Sequence, residues 1–367
     1  MKNKDKKKRK KGEVVVTSRK PMATVTAAAL LGVVAFLLVL AGINLHGLTY
    51  DEPIYAGFGT RSAQWTTVLF TSLFDGNLRQ HLSAEAINRA WYAEIDMQPP
   101  FAQTLYGLSN LALQDIAGGL TAPRLPVAVF FALAVGIIFW LTEQAFGRPA
   151  AFFASLGLIF LPRFFGHAHV SALDMPVSAL IIATAALFFA ASEQRSWSLY
   201  IWSSVLLGLA LLTKLNAVFI GGGLLIWTLI FHRVMIGRAL IAFFVVTPAV
   251  FFCGWPWLWH DTVSHARDYL LFHLQHYPVL VYYLGELHEY APWHYPFVIT
   301  AVTVPTMVLI LMAAGLFYGG SGRKAPEALA ATRARAASAP AYLPTMVRTS
   351  ASAIAAATAR VGSSVSF

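Results

Sequence analysis

"FAQTLYGLSNLALQDIAGGL", residues 101–120, decides on which side of a membrane every later loop lies. It is long enough to cross a bilayer, but Gln103, Ser109, Asn110, Gln114 and Asp115 are costly groups inside hydrocarbon. If it crosses, Arg148, Arg195, Arg233 and Arg238 all face outward, against the bias of Lys and Arg toward the cytosol. If it lies along the surface, or is partly buried, all four fall in cytosolic turns, together with the basic stretch after 318. The second arrangement is the reading adopted.

Working outward from there, apolar runs occur at 22–45 and near 125–142, 150–166, 175–191, 199–213, 215–231, 239–254 and 296–318. Each is close to the ~20 residues a helix needs to cross, some a little short. The chain is 57% hydrophobic and only 12% charged, about half the charge of an ordinary soluble domain. The pattern predicts an all-α polytopic membrane protein with about eight transmembrane helices and both ends in the cytosol. Two outer loops interrupt it. The first, 46–120, is too charged to span and predicts short amphipathic helices at the interface. The second, 255–295, is aromatic and rich in histidine.

The net charge of +10 sits mostly at the two ends, and residues 21–319 are slightly acidic. Residues 1–21 form a basic cytosolic tail. Beside a spanning helix such a tail is a topology signal and an anionic-lipid contact rather than a nucleic-acid arm. The run at 22–45 is too long for a signal-peptide core, has no small-residue cleavage site after it, and reads as an uncleaved first helix. The sole cysteine, Cys253, excludes an internal disulfide and a cysteine-rich metal site. With this topology the acids of 21–319, except Glu143 and Glu193, and every histidine except His232 fall on the outer side. Polar groups are expensive near a bilayer, so their convergence marks an outward-facing site.

Four groups in that set carry chemistry, and each also has a plain structural reading. Asp51 and Glu52 follow the first span; they serve as a solvated helix-end pair or as a pair whose repulsion raises one pKa and makes a general base. Asp174, in "LDMP", either caps the helix that follows or faces the cavity; Arg163, His167 and His169 before it are interfacial residues or an anion site. Lys214, in "LLTKLNA", snorkels or meets a phosphate. In "LGELHEYAPWHYPF", 284–297, and "GWPWLWHD", 254–261, the aromatics form an interfacial belt or stack on a sugar with His and Glu beside them. A divalent metal is the one cofactor in view, held by His273 and His276 or by His288 and Glu289, and neither pair has a tight ligand signature.

Taken together, "YDEPIYA", "QPPF", "APRLPVAVFFALAVGIIFWLTEQAFGRPAA", "LDMP", "LLTKLNA" and "PWHYPF", in that order over residues 22–318, resemble the membrane glycosyltransferases of GT-C fold. The nearest resemblance is to the bacterial branch close to the protein O-mannosyltransferases and the aminoarabinose transferases of lipid A. It implies a bacterial inner-membrane enzyme that transfers a sugar from a polyprenyl-phosphate donor to a lipid, glycan or protein acceptor on the periplasmic side. Asp51 then takes the base role, Glu52 positions the acceptor, and Asp174 is a second acid in the cavity. Arg163, Lys214 and His167 meet the donor phosphate, and Gln98, His288, Glu289 and Trp293 meet sugar or acceptor.

Two departures stand out. Relatives carry His or Lys where Gln98 precedes Pro99, so a charged contact is lost. Relatives also continue with further helices or a soluble domain, whereas residues 319–367 are Ala-, Ser- and Arg-rich, a composition that predicts disorder and points to a frameshift or truncation. A transporter or flippase, or a non-catalytic lipid-binding relative, are the rival readings.

Overall fold

The structure, a computed structural model, describes residues 21–92, 97–275 and 280–320. The basic tail, most of the Ala/Ser-rich tail and His276 lie outside the described residues.

The first half runs α1 (Pro21–Gly42), α2 (Glu52–Ser72), α3 (Leu78–His81), α4 (Ala84–Trp91), α5 (Phe101–Ala117), α6 (Thr121–Phe146), α7 (Arg148–Ile159) and α8 (Pro162–His167). The second half runs α9 (Asp174–Gln194), α10 (Trp197–Leu211), α11 (Val218–Phe231), α12 (Ile236–Ile241), α13 (Thr247–Cys253) and α14 (Thr262–Leu274). A hairpin of β1 (Val281–Tyr283) and β2 (Glu286–His288) follows, then α15 (Tyr295–Thr303) and α16 (Thr306–Gly320).

Among the described residues four helices are long and apolar enough to cross a membrane: Met22–Gly42, Thr121–Phe146, Asp174–Gln194 and Arg233–Cys253. The last joins α12 to α13 through one π-helical turn, Ala242–Val246. The chain is thus a helical membrane protein, with fewer full-length spans than the apolar runs predicted. Three apolar helices, Arg148–Ile159, Trp197–Leu211 and Leu215–Phe231, are shorter. The 150–166 run is cut because Pro162 opens a new helix and its ring pushes Leu161 out of helical backbone, to ψ 107. The 296–318 run is broken in the same way. Val304, before Pro305, is extended at φ −87 and ψ 132, and α15 and α16 meet at a bend of 115°.

The expected surface segment 101–120 becomes α5, which is not among the helices apolar enough to cross. It buries one stripe, Ala102, Gln103, Tyr106 and Gly107, against α2 and α6. The α2–α5 crossing is very close: a Cβ on Gly59 would strike the carbonyl of Gln103, and one on Gly107 would strike that of Gly59. The segment expected as the first outer loop, 46–120, also holds more than short helices, because α2 alone is 21 residues. The amphipathic piece is α4, which buries Ile87, Ala90 and Trp91 and exposes the Glu85–Arg89 pair.

The fold is not purely helical. The hairpin pairs Val281 with His288, Tyr282 with Leu287 and Tyr283 with Glu286, closed by Leu284 (φ 53) and Gly285 (φ 94), both in the left-handed region its two-residue turn demands. Trp255 and Trp257 are no interfacial belt either. Both are buried in a cluster with Phe58 and Trp65 of α2, Trp91 of α4 and Tyr269 of α14.

Candidate active site

The site is built where five short connections meet. Glu52, the first residue of α2, is only 4% exposed, and Arg124, in the first turn of α6, is fully buried. Arg124 donates from Nε to Glu52 Oε1 and from Nη2 to Oε2, each at 2.8 Å. Its remaining donors go to the carbonyls of Ile43, His46 and Gly47 beyond α1. Glu52 also accepts from the Ser171 N–H at 2.8 Å and from the Thr49 N–H and hydroxyl. A buried guanidinium with every fork donor used is the arrangement that makes burying the pair tolerable.

Burial on its own would raise the Glu52 carboxyl. The hydrogen bonds from Arg124, Ser171 and Thr49, with the guanidinium charge, outweigh it and bring the pKa down to about 2. Repulsion from Asp51 therefore does not raise the Glu52 carboxyl, which stays ionised. Its oxygens are taken up by the protein, which leaves little for an acceptor.

Asp51 differs. It occupies the N-cap position of α2, yet its side chain makes no capping bond, and it is exposed. Its backbone is fixed all the same, because its carbonyl accepts from the Tyr55 N–H at 3.0 Å.

Ser171 leads into α9, whose first residue is Asp174. The same connection is held from α5, where the buried Tyr106 hydroxyl donates to the Ala172 carbonyl at 2.7 Å. Burial, then the neighbouring Tyr55, Asp174 and Glu52, keep that phenol protonated. Asp174 Oδ1 accepts from Lys214 Nζ at 2.8 Å, and His167 Nδ1 stands 3.8 Å from Oδ2. All three side chains are partly exposed. Lys214 thus neither snorkels alone nor stays free; it reaches Asp174 from the turn after α10, and two of its three ammonium donors remain for a ligand.

That turn is tied to the Pro-Pro segment by Phe101 N–H donating to the Leu212 carbonyl at 2.9 Å. Gln98 lies three residues before Phe101, and its Oε1 is buried without a hydrogen-bond partner among the described residues. Arg163 is exposed on α8, with no ion pair or hydrogen bond among the described residues.

His288, Glu289 and Trp293 belong to the second loop, 255–295. His288 packs against Tyr283, Trp293 against His294 and Phe297, and no described hydrogen bond or ion pair joins them to Asp174. His273 bonds the Tyr269 carbonyl. Among the described residues no group of three His, Cys, Asp or Glu side chains is placed to hold a metal ion.

Arg124 and Tyr106 escaped the sequence reading. Arg124 had a signal, a lone charge near the start of a long apolar run; Tyr106 had none.

Residues 98–260 match the family of dolichyl-phosphate-mannose-protein mannosyltransferases. This region, which holds Gln98, Arg124, Arg163, His167, Asp174 and Lys214, is similar to a GT-C-like family of membrane mannosyltransferases. Neither curated proteins nor solved structures gave a match.

Proposed function

We propose that the protein transfers a sugar from a polyprenyl-phosphate donor to a hydroxyl of a lipid, glycan or protein acceptor, at the outer face of a bacterial inner membrane. The observation that carries this reading is the contrast among three carboxylates. Glu52 is consumed by Arg124, Asp174 by Lys214, and Asp51 is left exposed with its backbone fixed next to Glu52.

Asp51 accepts the proton of the acceptor hydroxyl as its oxygen attacks the anomeric carbon. The bond from that carbon to the donor phosphate breaks, and the electron pair leaves with the polyprenyl phosphate. Lys214, with His167 and Arg163, meets the negative charge that grows on the leaving phosphate. Glu52 acts through Asp51, by fixing the start of α2, rather than on the acceptor. Gln98 faces the sugar or acceptor, and His288, Glu289 and Trp293 serve acceptor recognition from the second outer loop. About eight crossings, with the shorter apolar helices counted and both ends in the cytosol, fit this orientation.

The test is turnover of a mixed pool of labelled polyprenyl-phosphate sugars by the full chain in nanodiscs. Wild type should deplete one donor, and Asp51→Asn should lose about 10²–10⁴ of that rate while still binding the donor. Equal rates would remove Asp51 from the base role.

A further inference from the structure

The hairpin lacks the polar outward face of an ordinary sheet. A hairpin lying on a water-soluble core turns its apolar face inward and its polar face out. Here one face carries Val281, Tyr283 and His288, with Glu286 exposed at its edge, and the outward face carries the cross-strand pair Tyr282 and Leu287. The turn, where Asn-Gly is the usual choice, places Leu284 at its tip. Leu280, Tyr282, Leu284, Leu287, Tyr290 and Trp293 are between 66% and 83% exposed.

A second observation is independent of the hairpin. The following helix, α15, is apolar along its length and has no buried residue. Phe297 and Val302 are 70% and 71% exposed, Tyr295 packs on Tyr283 of the hairpin, and the helix runs on into the apolar α16. A third is charge. No Lys or Arg occurs between Arg267 and Arg323. A surface built for nucleic acid or for anionic headgroups would carry them; one that dips below the headgroups is free of them. Tyr and Trp around leucines are the side chains that settle at the boundary between headgroups and acyl chains.

We infer that the β1–β2 hairpin and α15 form a membrane-docked unit whose occupant is the bilayer boundary. Leu284, Leu287 and Tyr282 are the inserted side chains. The loop that carries the hairpin leaves α13 beside the turn that bears Lys214, because Gly254 rests on Leu212, two residues before Lys214. The inference does not depend on the transferase reading.

The lone cysteine makes the test clean. In a Cys253→Ser background, Leu284→Cys and Leu287→Cys are each labelled with a nitroxide, with Glu85→Cys on the polar face of α4 as reference. The full chain is reconstituted in phosphatidylcholine–phosphatidylglycerol vesicles. Collision with oxygen, which concentrates in lipid, is compared with collision with a water-soluble nickel chelate. The oxygen-to-nickel ratio should be several-fold higher at 284 and 287 than at 85. Two results would overturn the inference. Nickel access equal to that at 85 places the hairpin in water, and low access to both reagents places it against a second copy or another part of the chain.

Discussion

Arg124 grips both oxygens of Glu52 at 2.8 Å, across 72 residues of sequence, and by doing so draws the ends of α1, α2 and α6 and the approach to α9 to one point. The pair is nearly free of solvent. Removing one member leaves an uncompensated buried charge, which costs about 3–5 kcal/mol. Arg124→Met and Glu52→Gln should each lower the unfolding temperature in detergent strongly. The double variant Arg124→Met with Glu52→Gln should lose less than the two singles combined. Additive losses would mean that the two side chains act separately.

The same pair sets a pH dependence. The folded Glu52 pKa, about 2, lies below the ordinary value of 4.5, so the folded protein holds its proton less tightly than the unfolded chain does. The stabilisation is full above about pH 5 and fades as pH falls from 4.5 toward 2. The difference in unfolding temperature between wild type and Glu52→Gln should therefore shrink between pH 5 and pH 3. A constant difference across that range would show that the carboxylate's charge is not what stabilises.

Lys214 offers a separable effect. A charge-assisted hydrogen bond to a phosphate is worth about 1.5–3 kcal/mol, roughly a tenfold to hundredfold change in donor affinity. Lys214→Gln should raise the donor KM by that order and leave binding of an uncharged acceptor unchanged. Because Lys214 also pairs with Asp174, Asp174→Asn controls for loss of the pair itself. Matching donor KM values in the two variants would assign the effect to the pair rather than to the phosphate.

Two glycines of α2 should behave in opposite ways. Gly59 sits at the crossing with α5, whereas a Cβ on Gly57 meets nothing within 4 Å. Gly59→Ala must push the helices apart, and overpacking of this kind costs about 1–3 kcal/mol. Gly57→Ala should be neutral or stabilising by about 0.5–1 kcal/mol, through helix propensity. Thermal unfolding of the two variants side by side distinguishes close packing from a general sensitivity of α2.

The apolar runs located most helices, because burial in lipid demands continuous apolar sequence. Pro162 and Pro305 stand inside two of those runs, and hydropathy averages across them and hides the breaks they impose. Asp51, Asp174, His167 and Lys214 were legible singly as charges that an apolar chain does not keep without reason. That Lys214 and His167 meet at Asp174 was not legible, since the contact depends on how α8, α9 and α10 pack. Arg124 was overlooked inside a motif read for its apolar pattern. Trp255 and Trp257 resemble interfacial residues in sequence, and only the cover provided by α2 and α4 makes them core.

The grip of Arg124 on Glu52 divides the site into a stiff part and a compliant one. Asp51 and the lead-in to Asp174 are bolted to the same carboxylate, so their spacing is set before any substrate arrives. The adjustable partner is Lys214, on a flexible four-carbon stem whose freedom is worth about 2 kcal/mol. On the proposed transferase reading, capture of a lipid-borne phosphate asks the scaffold for almost no rearrangement. One tethered ammonium swings while the backbone that carries Asp51 stays in place.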